Sequence, residues 1–179
     1  MTKTIEDALE EHLCYVYDDE EFGIRLTTKI LNESECDKSE DLIGADLRIA
    51  DLQLADLKGA KLQWTKLQGA DLQKACLQEA NLKGSKLQWT KLQEAELQKA
   101  CLEGANLQWA NLKGADLTGV NLQGANLQEA DLRGANFEGA DLQWADLYRA
   151  KLKEVDFTST ILTKQQKDYV LSKGSIIHE

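Results

Sequence analysis

Two histidines, His12 and His178, stand at opposite ends of a chain of 179 residues. Histidine is the usual general base and a common metal ligand near neutral pH, so catalysis or metal binding would call for one of them beside a nucleophile or second ligand. The sequence offers no Cys-x-x-Cys, no paired-His spacing, no phosphate-cradling glycine loop and no nucleophile elbow. Its 31 Asp and Glu residues recur within a repeating pattern, so no two stand out as an acid–base pair. Four cysteines, Cys14, Cys36, Cys76 and Cys101, are even in number. In the reducing compartment expected for this chain they read as free thiols rather than disulfides. No catalytic, cofactor-binding or metal-binding residue is therefore assigned, no cofactor is expected, and the chain does not read as an enzyme.

Recognition is what these residue types can do. Trp64, Trp89, Trp109 and Trp144 all follow a leucine by two positions. Trp89 and Trp109 are twenty apart, with Gln68, Gln88, Gln108 and Gln128 recurring beside them at the same interval. Exposed paired indoles are binding anchors, or else a self-stacking ladder that shields backbone. A second candidate protein-binding element is the acidic run Asp18, Asp19, Glu20 and Glu21.

The element that must position the tryptophans is set by a strict period. From Leu42 to Leu162 an apolar residue recurs every fifth position, Leu throughout except for Phe137 and Phe157. The residue two before it is small, and the one before it is usually Asp, Asn or Lys, as in Ala80-Asn81-Leu82 and Ala130-Asp131-Leu132. On an α-helix five steps of about 100° would smear this apolar row around the axis. On a continuous strand an odd period would throw successive leucines to opposite faces. Keeping them together demands a bend once per unit, which winds the chain into a β-solenoid.

The pattern resembles the pentapeptide-repeat family, with its A(D/N)LXX consensus, over residues 40–164. The resemblance implies an all-β solenoid: a right-handed quadrilateral β-helix of about six coils, four pentads to a coil, with residues twenty apart in register. At ~4.8 Å per coil the rod would be roughly 30 Å long. Leu62, Leu82, Leu102, Phe137 and Phe157 are then its structural core, with Phe137 stacked directly on Phe157. Thr65, Ser85 and Thr90 replace the small inward residue, and their hydroxyls are expected to bond corner backbone.

The flanks differ. Residues 1–39 lack the pentad, and Ile5, Leu9, Leu13 and Val16 have helical spacing. This acidic, helical segment reads as a cap over the first coil or as a recognition element. Thr163 and Gln166 have the spacing of a capping box, with a helix expected over about 164–172 and Gly174 placed to end it. Residues 165–179 thus form a C-terminal capping helix and tail, in which Tyr169, Val170, Ile176 and Ile177 can cover the last coil. Helices at both ends would shield open strand edges.

Charge is unevenly spread. Residues 1–41 hold 13 acids and 4 bases, net −9, while residues 42–179 are nearly neutral at −1. Residues 61–85 and 86–110 agree at 18 of 25 positions, a duplication of five pentads that keeps the inward pattern and rotates any surface patch onto a neighbouring side. Under the twenty-residue register, Asp56, Cys76, Glu96, Asp116, Asn136 and Asp156 form the most acidic column. These side chains either serve the corner turns or mimic a row of nucleic-acid phosphates.

The expectation is a non-enzymatic scaffold that binds an unidentified protein. The alternative is a DNA-mimicking modulator of a type II topoisomerase, gyrase. Neither direct nucleic-acid binding nor a membrane span is expected; nor is a signal peptide. The protein reads as cytoplasmic and, by resemblance, bacterial, a monomer or an end-to-end homodimer.

Overall fold

The structure, a computed structural model, describes residues 42–178. The expected N-terminal helix, the Asp18–Glu21 run, Cys14 and Cys36 lie outside the described residues.

Each pentad turns a corner. From Gly44 to Glu154 every fifth residue has a positive φ, and the residue before it does not. The following N–H donates back to the leucine carbonyl, as Ala55 does to Leu52 at 3.1 Å. That combination is a type II turn. The number of sides, which a period of five leaves open, is four: Asp46 pairs with Lys66, Asp51 with Asp71, Asp56 with Cys76 and Lys61 with Asn81, all parallel. Each side carries a single bridged residue per coil rather than a long strand, because the next corner follows within a few residues.

The five N–H groups of one unit explain the period. In the unit Asn81 to Ser85, Asn81 donates to Ala60 O (2.9 Å) in the coil before. Leu82 and Gly84 donate to Cys101 O (2.7 Å) and Glu103 O (2.9 Å) in the coil after, and Ser85 closes the turn on Leu82 O (3.1 Å). One donor, Lys83 N–H, has no backbone acceptor, and the Asn81 side-chain oxygen takes it at 3.2 Å. An Asp or Asn at that place therefore completes the hydrogen bonding of the unit, as buried or crowded backbone requires.

The inward columns are as the register demands. Leu62, Leu82 and Leu102 are each 1% exposed, and the alanines between them are equally buried. Burying each leucine contributes roughly 1.5–3 kcal/mol before chain entropy opposes it. Phe137 and Phe157 stack with ring centroids 5.2 Å apart. Their bulk loosens the ladder beside them: Gly139 N–H reaches Ser159 O, one residue beyond the acceptor used elsewhere, at 3.2 Å. Thr65 and Thr90 donate their hydroxyls to Leu62 O and Leu87 O, both at 2.7 Å. Ser85 departs from that expectation. Its hydroxyl is buried with no partner, because without the γ-methyl its side chain is not held in the rotamer that reaches the turn carbonyl.

At the C-terminal end a helix, α1 (Lys164–Ser172), starts on the full Thr163/Gln166 capping box. Gly174, at φ +79°, closes it. Its N–H goes to Leu171 O and that of Ser175 to Val170 O, the paired bonds of a Schellman end. Val170 is fully buried against the last coil. The side chains of α1 stand in for a coil: Gln166 Nε2 donates to Leu142 O (2.6 Å) and Ala145 O (2.9 Å), and the Tyr169 hydroxyl accepts Arg149 N–H (2.9 Å). After α1 the chain resumes the five-residue register. Ser175 occupies the small buried place, Ile176 bridges Asp156, and Ile177 takes the leucine place. Ile176 is thus a solvent-facing bridge residue rather than a cover for the core.

Candidate interaction surface

The corners are built on left-handed backbone that favours glycine. All four tryptophans nevertheless sit there, with φ from 58° to 65°. They are 52 to 77% exposed. Trp64 lies flat across the glycine of the next coil, so that a Cβ on Gly84 would come within 2.2 Å of its ring. Trp89 and Trp109 share one corner a coil apart, as the register requires. No ring contact joins them among the described residues; the indoles project from the corner instead of lying on one another. Beside them Gln108 Nε2 donates to Gln128 Oε1 (2.9 Å), and Gln128 Nε2 to Asp146 Oδ2 (2.5 Å).

The acidic column is occupied by its own turns. Asp56, Asp116, Asn136 and Asp156 each accept the N–H two residues on, at 2.8 to 3.2 Å. Asp116 also takes the Thr118 hydroxyl and Gln98 Nε2 (2.7 Å). Partial burial pushes the Asp116 carboxyl up, but these bonds outweigh it and hold the group below its ordinary value. Glu96 accepts from Gln78, which also holds the Cys76 thiol. Burial first, then Asp56 and Glu96, push that thiol up and away from nucleophilic character. Cys101 is a second free, half-buried thiol, in a different column.

Charges on the other sides are largely cross-linked between coils. Lys91 pairs with Asp71 (2.9 Å), Lys83 with Glu103 (3.0 Å) and Lys66 with Asp46 (3.3 Å). Asp131 receives both Arg133 (2.7 Å) and Lys151 (3.3 Å). The Arg133 guanidinium, with help from Lys151, holds the Asp131 carboxyl down to about 2 despite partial burial. A third device has no signature in the five-residue pattern. A glutamine after the leucine reaches the carboxylate eighteen residues on, as Gln53 does to Asp71 (3.2 Å) and Gln123 to Asp141 (2.6 Å). The partner is visible only once the coil length is known.

Where Lys or Glu replaces the turn-capping Asp or Asn, the residue after the leucine is often Gln. Gln63, Gln68, Gln88, Gln93 and Gln98 share that context, and each has a buried side-chain oxygen with no partner. No group of three or more His, Cys, Asp or Glu residues placed to hold a metal occurs among the described residues. His178 donates its backbone N–H to Thr158 at the far end of the rod. A groove of about 690 Å³ runs where α1 meets the last coil, lined by Trp144, Tyr148, Lys164, Gln166 and Tyr169. Its one carboxylate, Asp146, is bonded to Tyr148 N–H (2.9 Å) and to Gln128. No helix of the described residues is long and apolar enough to cross a membrane.

The sequence model described as "Pentapeptide repeats" matches in 8 copies, over residues 41–74, 70–108, 100–139 and 125–163. Comparison with curated proteins found no match. Among solved structures, a pentapeptide repeat protein from the Arabidopsis thaliana thylakoid lumen is 27% identical, with 74% of each chain covered and a TM-score of 0.44. One from Nostoc PCC 7120 is 34% identical, covering 60% of this chain and 84% of that one, with a TM-score of 0.47. QnrB1, a plasmid-mediated fluoroquinolone resistance protein, is 21% identical, covering 75% of this chain and 73% of its own, also at 0.47.

Proposed function

Since the chain belongs to the pentapeptide-repeat family, we propose that it is a non-enzymatic scaffold, a right-handed rod of about six coils that binds another protein. Its place is the bacterial cytoplasm, where Cys76 and Cys101 stay reduced. The observation that carries this reading is the set of four indoles, 52 to 77% exposed on corners where glycine would be less strained. Exposed aromatic anchors beside a glutamine row, bonded from Gln108 to Gln128, suit a protein partner. Trp89 and Trp109 supply one recognition strip; the acidic segment with Asp18, Asp19, Glu20 and Glu21 supplies another. Residues 1–39 also serve as a cap. Ile43, Ile49 and Leu54 are exposed on the first coil, where most later coils carry polar or glycine residues, and the preceding segment is the nearest apolar material to cover them. Residues 165–179 close the opposite end. The rod works as a monomer or an end-to-end homodimer.

Affinity capture from the source cell tests this. Full-length protein is compared with Trp89→Ser/Trp109→Ser and with a form lacking residues 1–39. At least one variant should lose captured protein; identical captured sets from all three would remove both recognition strips from consideration. The gyrase reading is weaker, because phosphate mimicry needs a sustained field of free negative charge. Here the acidic column is broken by Cys76 and Asn136, and residues 42–179 are nearly neutral. Inhibition or protection in a supercoiling assay at micromolar protein would revive it.

A further inference from the structure

All four tryptophans border one side of the rod. Trp64 and Trp144 stand on one of its corners, four rungs apart, and Trp89 and Trp109 stand on the other. Between those corners the two middle rungs carry only carboxamides, Asn106 with Gln108 and Asn126 with Gln128. Lys86 and Asp146 flank that stretch and balance in charge. The side runs into the groove beside α1, where Trp144, Tyr148 and Tyr169 supply an aromatic lining and Lys164 offsets Asp146. The whole strip is thus aromatic, amide-rich and without net charge.

Its polar groups are left as donors. The Asn106 and Asn126 oxygens take Gln108 and Gln128 N–H, at 3.1 and 3.0 Å. Gln128 Oε1 takes Gln108 Nε2 (2.9 Å), and Gln68 and Gln88 bury their oxygens. Among the described residues no hydrogen bond uses the amide nitrogens of Gln68, Gln88 or Asn126, so N–H is what this side offers a ligand. A β-strand would bring N–H groups of its own, and sugar hydroxyls donate as well as accept. A proline-rich segment brings carbonyls without N–H, and in the polyproline II form none of them is bonded internally. The pitch agrees as well. One polyproline II turn rises about 9.3 Å, and two rungs span ~9.6 Å, so Trp64 and Trp144 are two such turns apart. We propose that this side binds a proline-rich segment of a partner protein, laid along the rod with its rings against the indoles and its carbonyls on the carboxamide N–H groups. The inference rests on the scaffold reading. It names the class of partner and extends the Trp89/Trp109 strip to the whole side. The chain itself contains no proline.

Titration of ¹⁵N-labelled full-length protein with an end-blocked proline nonamer tests it by nuclear magnetic resonance. The indole N–H signals of the four tryptophans and the side-chain amide signals of Gln68 and Gln88 should shift and saturate by millimolar peptide. Affinity should fall about tenfold in Trp89→Ser/Trp109→Ser, which removes two anchors. It should fall about as far in Gln68→Glu/Gln88→Glu, which keeps the indoles but sets carboxylates against the peptide carbonyls. Backbone signals of Asp116 and Asn136, on the opposite side of the rod, serve as the folding control and should not move. No shift at millimolar nonamer would overturn the proposal. So would an equal response to a blocked glycine–serine nonamer. A response only to cellohexaose or to an aspartate nonamer would overturn it too, and would assign the side to a carbohydrate or an acidic ligand. If the nonamer fails while Trp89→Ser/Trp109→Ser still loses captured protein, this inference falls and the scaffold reading stands.

Discussion

Replacing Asn121 with Ala isolates the side-chain contribution to the corner. The Asn121 oxygen takes Gln123 N–H at 3.0 Å, at a half-buried site. Every other N–H of that unit has a backbone acceptor, so Ala leaves one donor facing partial burial. A net hydrogen bond of this kind is worth about 0.5–1.5 kcal/mol. Lys86→Asn runs the same argument backwards. Lys86 has no side-chain partner among the described residues, and it faces Lys66 across one rung. Among the described residues, no side chain of another residue takes the Gln88 N–H. Asn there adds the missing acceptor and removes a like-charge neighbour, a gain of about 0.5–1 kcal/mol. Urea unfolding followed by circular dichroism reads both. With a slope of about 2 kcal/mol per molar, 1 kcal/mol moves the midpoint by about 0.5 M. Midpoints are the quantity to compare, because stacked repeats couple to their neighbours and need not unfold in one step. Asn121→Ala should move the midpoint down and Lys86→Asn should move it up. Two midpoints within about 0.1 M of the parent would refute the hydrogen-bond argument for the five-residue unit.

Trp89→Gly should be more stable than Trp89→Ser by about 1 kcal/mol, since both lose the indole but only glycine relaxes the positive φ; thermal midpoints of the pair decide it. Gly84→Ala should destabilise by more than 1 kcal/mol or so, through its φ of +66° and the overlap with the Trp64 ring. Adding Trp64→Gly should recover the overlap but not the strain, and a double-mutant cycle separates them. Ser85→Ala should be neutral or stabilising by up to about 1 kcal/mol, because the buried hydroxyl has no partner to lose. Asp131→Asn should cost stability at neutral pH. The folded Asp131 carboxyl is depressed to about 2, so its contribution is fully present above pH ~4 and lost as pH falls through about 2. Denaturation curves of parent and variant should therefore converge near that lower pH.

The repeat was legible because its period fits neither helix nor strand, which keeps the leucines on one side; the inward alanines and the twenty-residue columns came from the resemblance to the pentapeptide-repeat family. The ends of α1 were legible because Thr163, Gln166 and Gly174 act on backbone within a few residues of themselves. What the chain hides is whatever depends on the coil's length or on a rotamer. Gln53 and Asp71 are far apart until twenty residues close a coil. The return of the register at Ser175-Ile176-Ile177 is hidden by α1, which fills the place of two pentads. Ser85 and Thr65 hold equivalent places, yet only the threonine, stiff at its β-carbon, is committed to the turn carbonyl. The projecting indoles of Trp89 and Trp109 depend likewise on side-chain torsions that spacing does not encode.

Scalar couplings across hydrogen bonds, measured by nuclear magnetic resonance on deuterated, ¹³C,¹⁵N-labelled protein, report the pairing bond by bond. Leu82 N–H should couple to the Cys101 carbonyl and Asn81 N–H to that of Ala60. The same alternation, forward from each leucine and backward from the residue before it, should recur along the rod. Couplings from these amides to carbonyls four residues back, or to partners at some other constant offset, would mean that the chain does not close a four-sided coil.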